Sequence, residues 1–169
     1  MKRILISFLL LFSSISFAQT PGIETLRKEY YKVKTDSATC AALYQKISTS
    51  TPTDNLLIAY KGAITAAMAD HSANKAEKLK LFNTGKKMLE QVIKTDSSNL
   101  ELRFLRFTIQ TSCPKALGYN KQIATDKKFI LSHFDTFKNS EFKAKMWSYL
   151  LNSTALTEEE KKKLKSGSN

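Results

Sequence analysis

The chain is poor both in residues that interrupt helices and in residues that do chemistry. Its 169 residues include five glycines, three prolines, two cysteines and two histidines. The prolines, Pro21, Pro52 and Pro114, fall between stretches of apolar periodicity, where helices begin or end. The two histidines, His71 and His133, lie far apart and lack the clustered spacing that a zinc site needs. No Gly-x-Ser-x-Gly elbow, phosphate-binding glycine loop or calcium loop is present. Cys113 precedes Pro114 at the end of a helical stretch, whereas thiolates are stabilised at helix starts. The acids Glu77, Glu90, Glu101, Asp126 and Glu141 are scattered among lysines and read as solvated faces. We therefore expect no catalytic residues, no metal, no cofactor and no enzyme.

Cys40 and Cys113 could form a disulfide in an oxidising compartment, but both also suit apolar surroundings as free thiols. The compartment is read from the amino terminus. Lys2 and Arg3, the apolar run Ile4 to Phe12, and Ser16-Phe17-Ala18 make the three-part pattern of a signal peptide cleaved after residue 18. The apolar run is shorter than the roughly 20 residues a membrane span requires. The expected product is an exported single domain, residues 19–169, periplasmic or secreted, with no stable membrane insertion after cleavage. Losing Lys2 and Arg3 lowers the net charge from +12 to +10. An exported chain rarely meets nucleic acid, and its lysines are spread over every segment without interleaved aromatics.

Between the prolines the chain is rich in Ala, Leu, Lys, Glu and Gln, which favour helix. The pattern predicts an all-α fold of about eight helices. They cover about 23–34, 36–48, 52–69, 74–94 and 98–111, a segment ending near 133, 140–152, and a short last helix. Thr157-Glu158-Glu159-Glu160 forms a capping box at the start of that last helix, where Glu158 and Glu159 face Lys162 and Lys163. "LLIAYKGAITAAMA" is apolar on nearly every side, and Ala59, Gly62, Ala66 and Ala69 make a stripe that a neighbouring backbone can approach. In "LELRFLRFTIQ", Leu102, Leu105 and Ile109 lie opposite Leu100, Phe104 and Phe107 at helical spacing. Arg103, Arg106 and Gln110 form a polar strip between those faces, as in a helix sandwiched within a stack. In "CPKALGYN", Pro114, Gly118 and Asn120 make turns, and Leu117 and Tyr119 fold back on the core.

The passage "GKKMLEQVIKTDSSNLELRFLRF" resembles the junction between two tetratricopeptide-type repeats. Gly85, Leu89 and Val92 match the small and bulky positions of a second helix, and Asp96 and Asn99 match the turn, with Ser97 in place of the usual proline. The inferred hairpins start near residues 22, 53, 98 and 138, at offsets of 31, 45 and 40. True repeats hold near 34. The chain thus resembles a degenerate tetratricopeptide-like superhelix of stacked antiparallel hairpins, similar to exported proteins of unknown function.

Such stacks present an extended surface suited to peptides and partner proteins. The expected role is an exported binding or scaffold protein for a protein or peptide partner in the cell envelope. The Arg103, Arg106 and Gln110 strip offers donors to a carboxylate-rich partner; the alternative is that its arginines are exposed and pair with Glu101 or with another helix. The alternatives are a small-ligand or lipid carrier, hinted at by the small-residue stripe, and an envelope-polymer enzyme without a recognisable motif.

Overall fold

A computed structural model describes residues 21–166. The signal peptide read over residues 1–18 lies outside the described residues. The described chain is all-α, with eight helices: α1 (Ile23–Glu29), α2 (Ser37–Ser48), α3 (Asn55–His71), α4 (Lys75–Thr95), α5 (Leu100–Ser112), α6 (Ile123–His133), α7 (Ser140–Asn152) and α8 (Glu158–Ser166). None of them is long and apolar enough to cross a membrane.

The helices start where short polar side chains can take up the free amides of the first turn. Asp36, Asp54, Asn74, Asn99 and Asn139 each accept a hydrogen bond from the amide of a residue two or three positions further on. The expected capping box of α8 is reciprocal. The Glu160 amide donates to Thr157 Oγ1 at 3.2 Å, and the Thr157 amide donates to Glu160 Oε2 at 2.8 Å. Two local expectations change. α1 does not continue to residue 34, because the chain tightens into a 3₁₀ turn at Tyr30–Lys32. In α8, Glu158 pairs with Lys161 at 3.1 Å, one residue earlier than expected.

α3 and α4 form the closest pair, and they run antiparallel. Asn55 near the start of α3 donates to Thr95 at the end of α4 at 3.3 Å, and Gly62 faces Gly85 midway. A Cβ on Gly62 would sit 2.8 Å from the Gly85 carbonyl oxygen. One on Gly85 would sit 2.5 Å from the Ala66 amide and closer still to the Gly62 carbonyl. The small-residue stripe of α3 therefore serves the backbone approach expected of it.

α5 is the hub. It packs on α3, α4 and α6. Leu102, Phe104, Leu105 and Phe107 are fully buried. Phe104 also meets Phe142 and Tyr149 of α7 edge-on, at centroid distances of 5.9 and 5.5 Å. Both apolar faces are thus covered, as the two-sided pattern implies. Burying a large aromatic side chain contributes roughly 1.5–3 kcal/mol, so this layer supplies much of the core's cohesion.

Candidate functional site

The structure places Arg103, Arg106 and Gln110 inside the molecule, not along a surface strip. Arg106 and Gln110 are buried. Arg106 grips Asp126 of α6 with two parallel hydrogen bonds, Nε to Oδ2 and Nη2 to Oδ1, both 2.7 Å, and reaches Glu90 of α4 at 3.0 Å. Arg103 donates to Asp126 Oδ1 at 3.1 Å and to the Ser97 carbonyl at 2.6 Å, and its guanidinium lies 4.3 Å from the centre of the Phe129 ring. Burial disfavours the Arg106 charge, but its bonds and attraction to Asp126 and Glu90 hold its pKa above the ordinary value. The strip is not an open surface: Arg106 and Gln110 are buried, and Arg103, partly exposed, shares Asp126 of α6 with Arg106. The arginine donors join α4, α5 and α6, while the buried Gln110 Oε1 has no hydrogen-bond partner among the described residues.

A second internal network surrounds Glu101, itself buried. Arg27 of α1 donates to both its oxygens at 2.9 and 2.7 Å, and the Tyr60 hydroxyl donates at 2.7 Å.

Cys40 and Cys113 are free thiols. Cys40 Sγ lies 3.9 Å from Met68 Sδ, and Cys113 Sγ lies 3.6 Å from the Gln110 carbonyl. The two sulfurs thus rest on different neighbours, and no disulfide joins them. Burial pushes the Cys40 thiol up to about 11 and raises that of Cys113 as well, against thiolate chemistry. His71 Nε2 donates to the Val33 carbonyl at 2.7 Å, tying the end of α3 to the segment after α1. His133 Nδ1 lies 2.9 Å from the Phe129 carbonyl, and its ring stacks on Phe129. Among the described residues, no three His, Cys, Asp or Glu side chains are grouped to hold a metal ion.

A largely apolar concave feature lies elsewhere. Beside the C-terminal half of α3 and the first turns of α4, a groove of about 330 Å³ opens, within the usual range for small-molecule sites. Ala66, Ala67 and Ala69 of α3 line one wall, with Leu79 and Phe82 of α4 beside them. The other side is made by Tyr30, Tyr31 and Val33, by Thr108 and Ile109 of α5, by Tyr149 of α7, and by Ala116 and Leu117. The floor is held in place by hydrogen bonds. Tyr30 and Thr108 share one of 2.7 Å, and Tyr149 and Thr111 share another of 2.7 Å.

The "CPKALGYN" loop forms part of this wall. It turns at Gly118, the described glycine with positive φ. The buried Tyr119 anchors it by donating to Glu90 at 2.6 Å and meeting Phe82 edge-on. The fold-back expected of this loop is complete for Tyr119, which is buried, and partial for Leu117, which is half-buried and lines the groove.

Charge is uneven at the groove's mouth. Lys34, Lys75 and Lys78 line it, against one carboxylate, Asp70. Among the described residues, none of these three ammonium groups is in a salt bridge. Lys34 donates to Ser112 Oγ at 3.3 Å. Leu79, beside Lys78, is 51% exposed, an unusual place for a large apolar side chain. The small-residue stripe that hinted at a ligand carrier supplies Ala66 and Ala69 to this groove, whereas its other walls had no counterpart in the sequence pattern. The available signal was Leu79, an apolar residue standing between Lys78 and Lys80 on the solvent face of α4.

No family model, curated protein or solved structure matches the chain.

Proposed function

We propose that the protein is an exported, non-catalytic binding protein that takes up an apolar ligand carrying negative charge in the groove between α3, α4 and α5. One observation carries this reading: an apolar groove whose mouth has a single carboxylate and three lysines that, among the described residues, are in no salt bridge. Apolar walls supply affinity, and a few charged groups at the edge select and orient the ligand. Export rests on the pattern of residues 1–18. In this reading the helices are a degenerate, tetratricopeptide-like stack of hairpins, and the groove lies where two hairpins meet. A carrier role for a small amphiphile follows more directly than the recognition of a large protein.

A second reading, an acidic peptide that docks with an apolar anchor side chain, is favoured by the exposure of Leu79. The two readings separate with one pair of variants. The protein purified after export should bind an alkyl-chain fluorescent probe, and Ala67→Phe, which fills the groove from a partly buried lining position, should abolish binding while the protein stays folded. Leu79→Asp should weaken a peptide ligand far more than the probe. Failure of the wild-type protein to bind the probe, or unchanged binding by Ala67→Phe, would refute the carrier reading.

A further inference from the structure

A second groove adjoins the first. Lys28, Lys32, Lys34 and Lys145 line it together with Thr111, Ser148, Asn152 and Thr154, and no carboxylate is among its lining residues. Its volume is about 560 Å³. Tyr31, Lys34 and Tyr149 belong to both grooves, so the two share a wall. That wall is firm. Tyr149 is held by Thr111 and by its edge contacts with Phe104 and Phe107, and Tyr31 packs on Phe104 and Phe142.

The lysines of the second groove are committed to different degrees. Lys32 pairs with Glu29 at 2.8 Å, and Lys145 lies 3.6 Å from Glu141 while donating to the Lys28 carbonyl at 2.9 Å. Among the described residues, the ammonium groups of Lys28 and Lys34 pair with no carboxylate. Both side chains are exposed, and Lys34 stands where the apolar groove meets the basic one.

We infer that the two grooves form one site for a single-chain amphiphile with a phosphate head. The chain lies along the apolar groove, and the phosphate sits among the lysines of its neighbour. This rests on the apolar groove being a binding site, and it adds the headgroup. A phosphate monoester carries close to two negative charges and three strong acceptor oxygens. Several ammonium groups around one open groove match that charge, and lysine binds phosphate as a point charge without needing a planar fork. The hydroxyls of Ser148 and Thr154, in the same lining, offer neutral donors for the remaining oxygens. A monocarboxylate would use fewer of these groups.

Calorimetric titration of the exported protein with decyl phosphate, decanoate, decanol and inorganic phosphate tests the inference. Decyl phosphate should bind at least about tenfold more tightly than decanol, with an advantage that shrinks as salt rises. That advantage should collapse in Lys28→Gln/Lys34→Gln, whose fold is checked by circular dichroism; Lys28→Gln alone should reduce it partway. A charge-matched Lys87→Gln/Lys94→Gln variant on α4, outside both grooves, should keep it. Equal affinity for decyl phosphate and decanol would overturn the inference and leave the apolar groove standing. Decanoate binding as tightly as decyl phosphate would overturn the choice of phosphate, and equal losses in the two double variants would reduce the effect to net charge. Inorganic phosphate binding as tightly as decyl phosphate would show that one molecule does not span both grooves. If no alkyl compound binds, both the inference and the function it rests on fail.

Discussion

Replacing Arg106 with methionine separates a surface arginine from a structural one. Asp126 is fully buried, and Arg106 supplies two of its three arginine hydrogen bonds, both 2.7 Å. Methionine fills similar volume but leaves the carboxylate with the single 3.1 Å contact from Arg103. Removing one partner of a buried ion pair costs roughly 3–5 kcal/mol, because the other charge stays desolvated. Arg103 keeps part of the compensation, and water can reach the partly exposed Glu90, so the expected loss is near the low end, about 3 kcal/mol. At roughly 3–4 °C per kcal/mol for a domain of this size, the Tm falls by about 10 °C. Urea unfolding followed by circular dichroism measures the loss. In a double-mutant cycle with Asp126→Asn, the two changes should be strongly non-additive, with a coupling of about 1–3 kcal/mol. An Arg106→Met protein within about 0.5 kcal/mol of wild type, the usual range for surface changes, would refute the internal network.

Gly85→Ala should destabilise by about 1–3 kcal/mol despite the roughly 1 kcal/mol gain in helix propensity, because its new Cβ meets the backbone of α3 rather than a movable side chain. Thermal unfolding beside a Gly118→Ala control, strained by its φ of 62° instead of by contact, measures the loss; a Gly85→Ala protein as stable as wild type would refute the close approach of the two helices. Tyr60→Phe removes a 2.7 Å donor from buried Glu101 and should cost about 1–2 kcal/mol by urea unfolding, with Arg27 holding the carboxylate in place. Alkaline pH should unfold the protein. Burial raises the phenol pKa values of Tyr30, Tyr31, Tyr60 and Tyr119, so their contribution is complete below the ordinary tyrosine value and is lost as pH climbs above it. Each pH unit above about 10 then costs about 1.4 kcal/mol per buried phenol. Tyrosinate absorbance should rise together with the loss of helical circular dichroism; full ionisation of these phenols before any unfolding would contradict their burial.

What could be read from the sequence, and what could not, divides by the range of the interactions. Helix starts are local: a short polar side chain reaches amides two or three residues away, so Asp36, the Asp96–Asn99 turn and the Thr157 box were legible. The sandwiching of α5 was legible too, because two opposed apolar faces need two coverings. Periodicity gives an angle around the helix axis, however, and does not say what stands there. The polar edge of α5 therefore looked like a surface, although α6 lies against it. A clue lay in α6 itself, where Asp126 sits between Ile123 and Ile130 on a helical stripe facing inward. An acid on such a stripe demands a cation, and the preceding helix carries two. The groove left only the small-residue stripe and Leu79 as clues, because its walls come from α3, α4, α5, α7 and the segments after α1 and α5, and closure over those distances leaves little local pattern. The charges nevertheless follow one physical division. All three arginines among the described residues, Arg27, Arg103 and Arg106, join helices through carboxylates, where a planar fork loses little entropy per bond. Lys28, Lys34, Lys75 and Lys78, flexible and strongly hydrated, are left around the two grooves. An anionic ligand therefore meets cations that the fold does not need, and replacing those lysines should change binding while leaving stability nearly untouched.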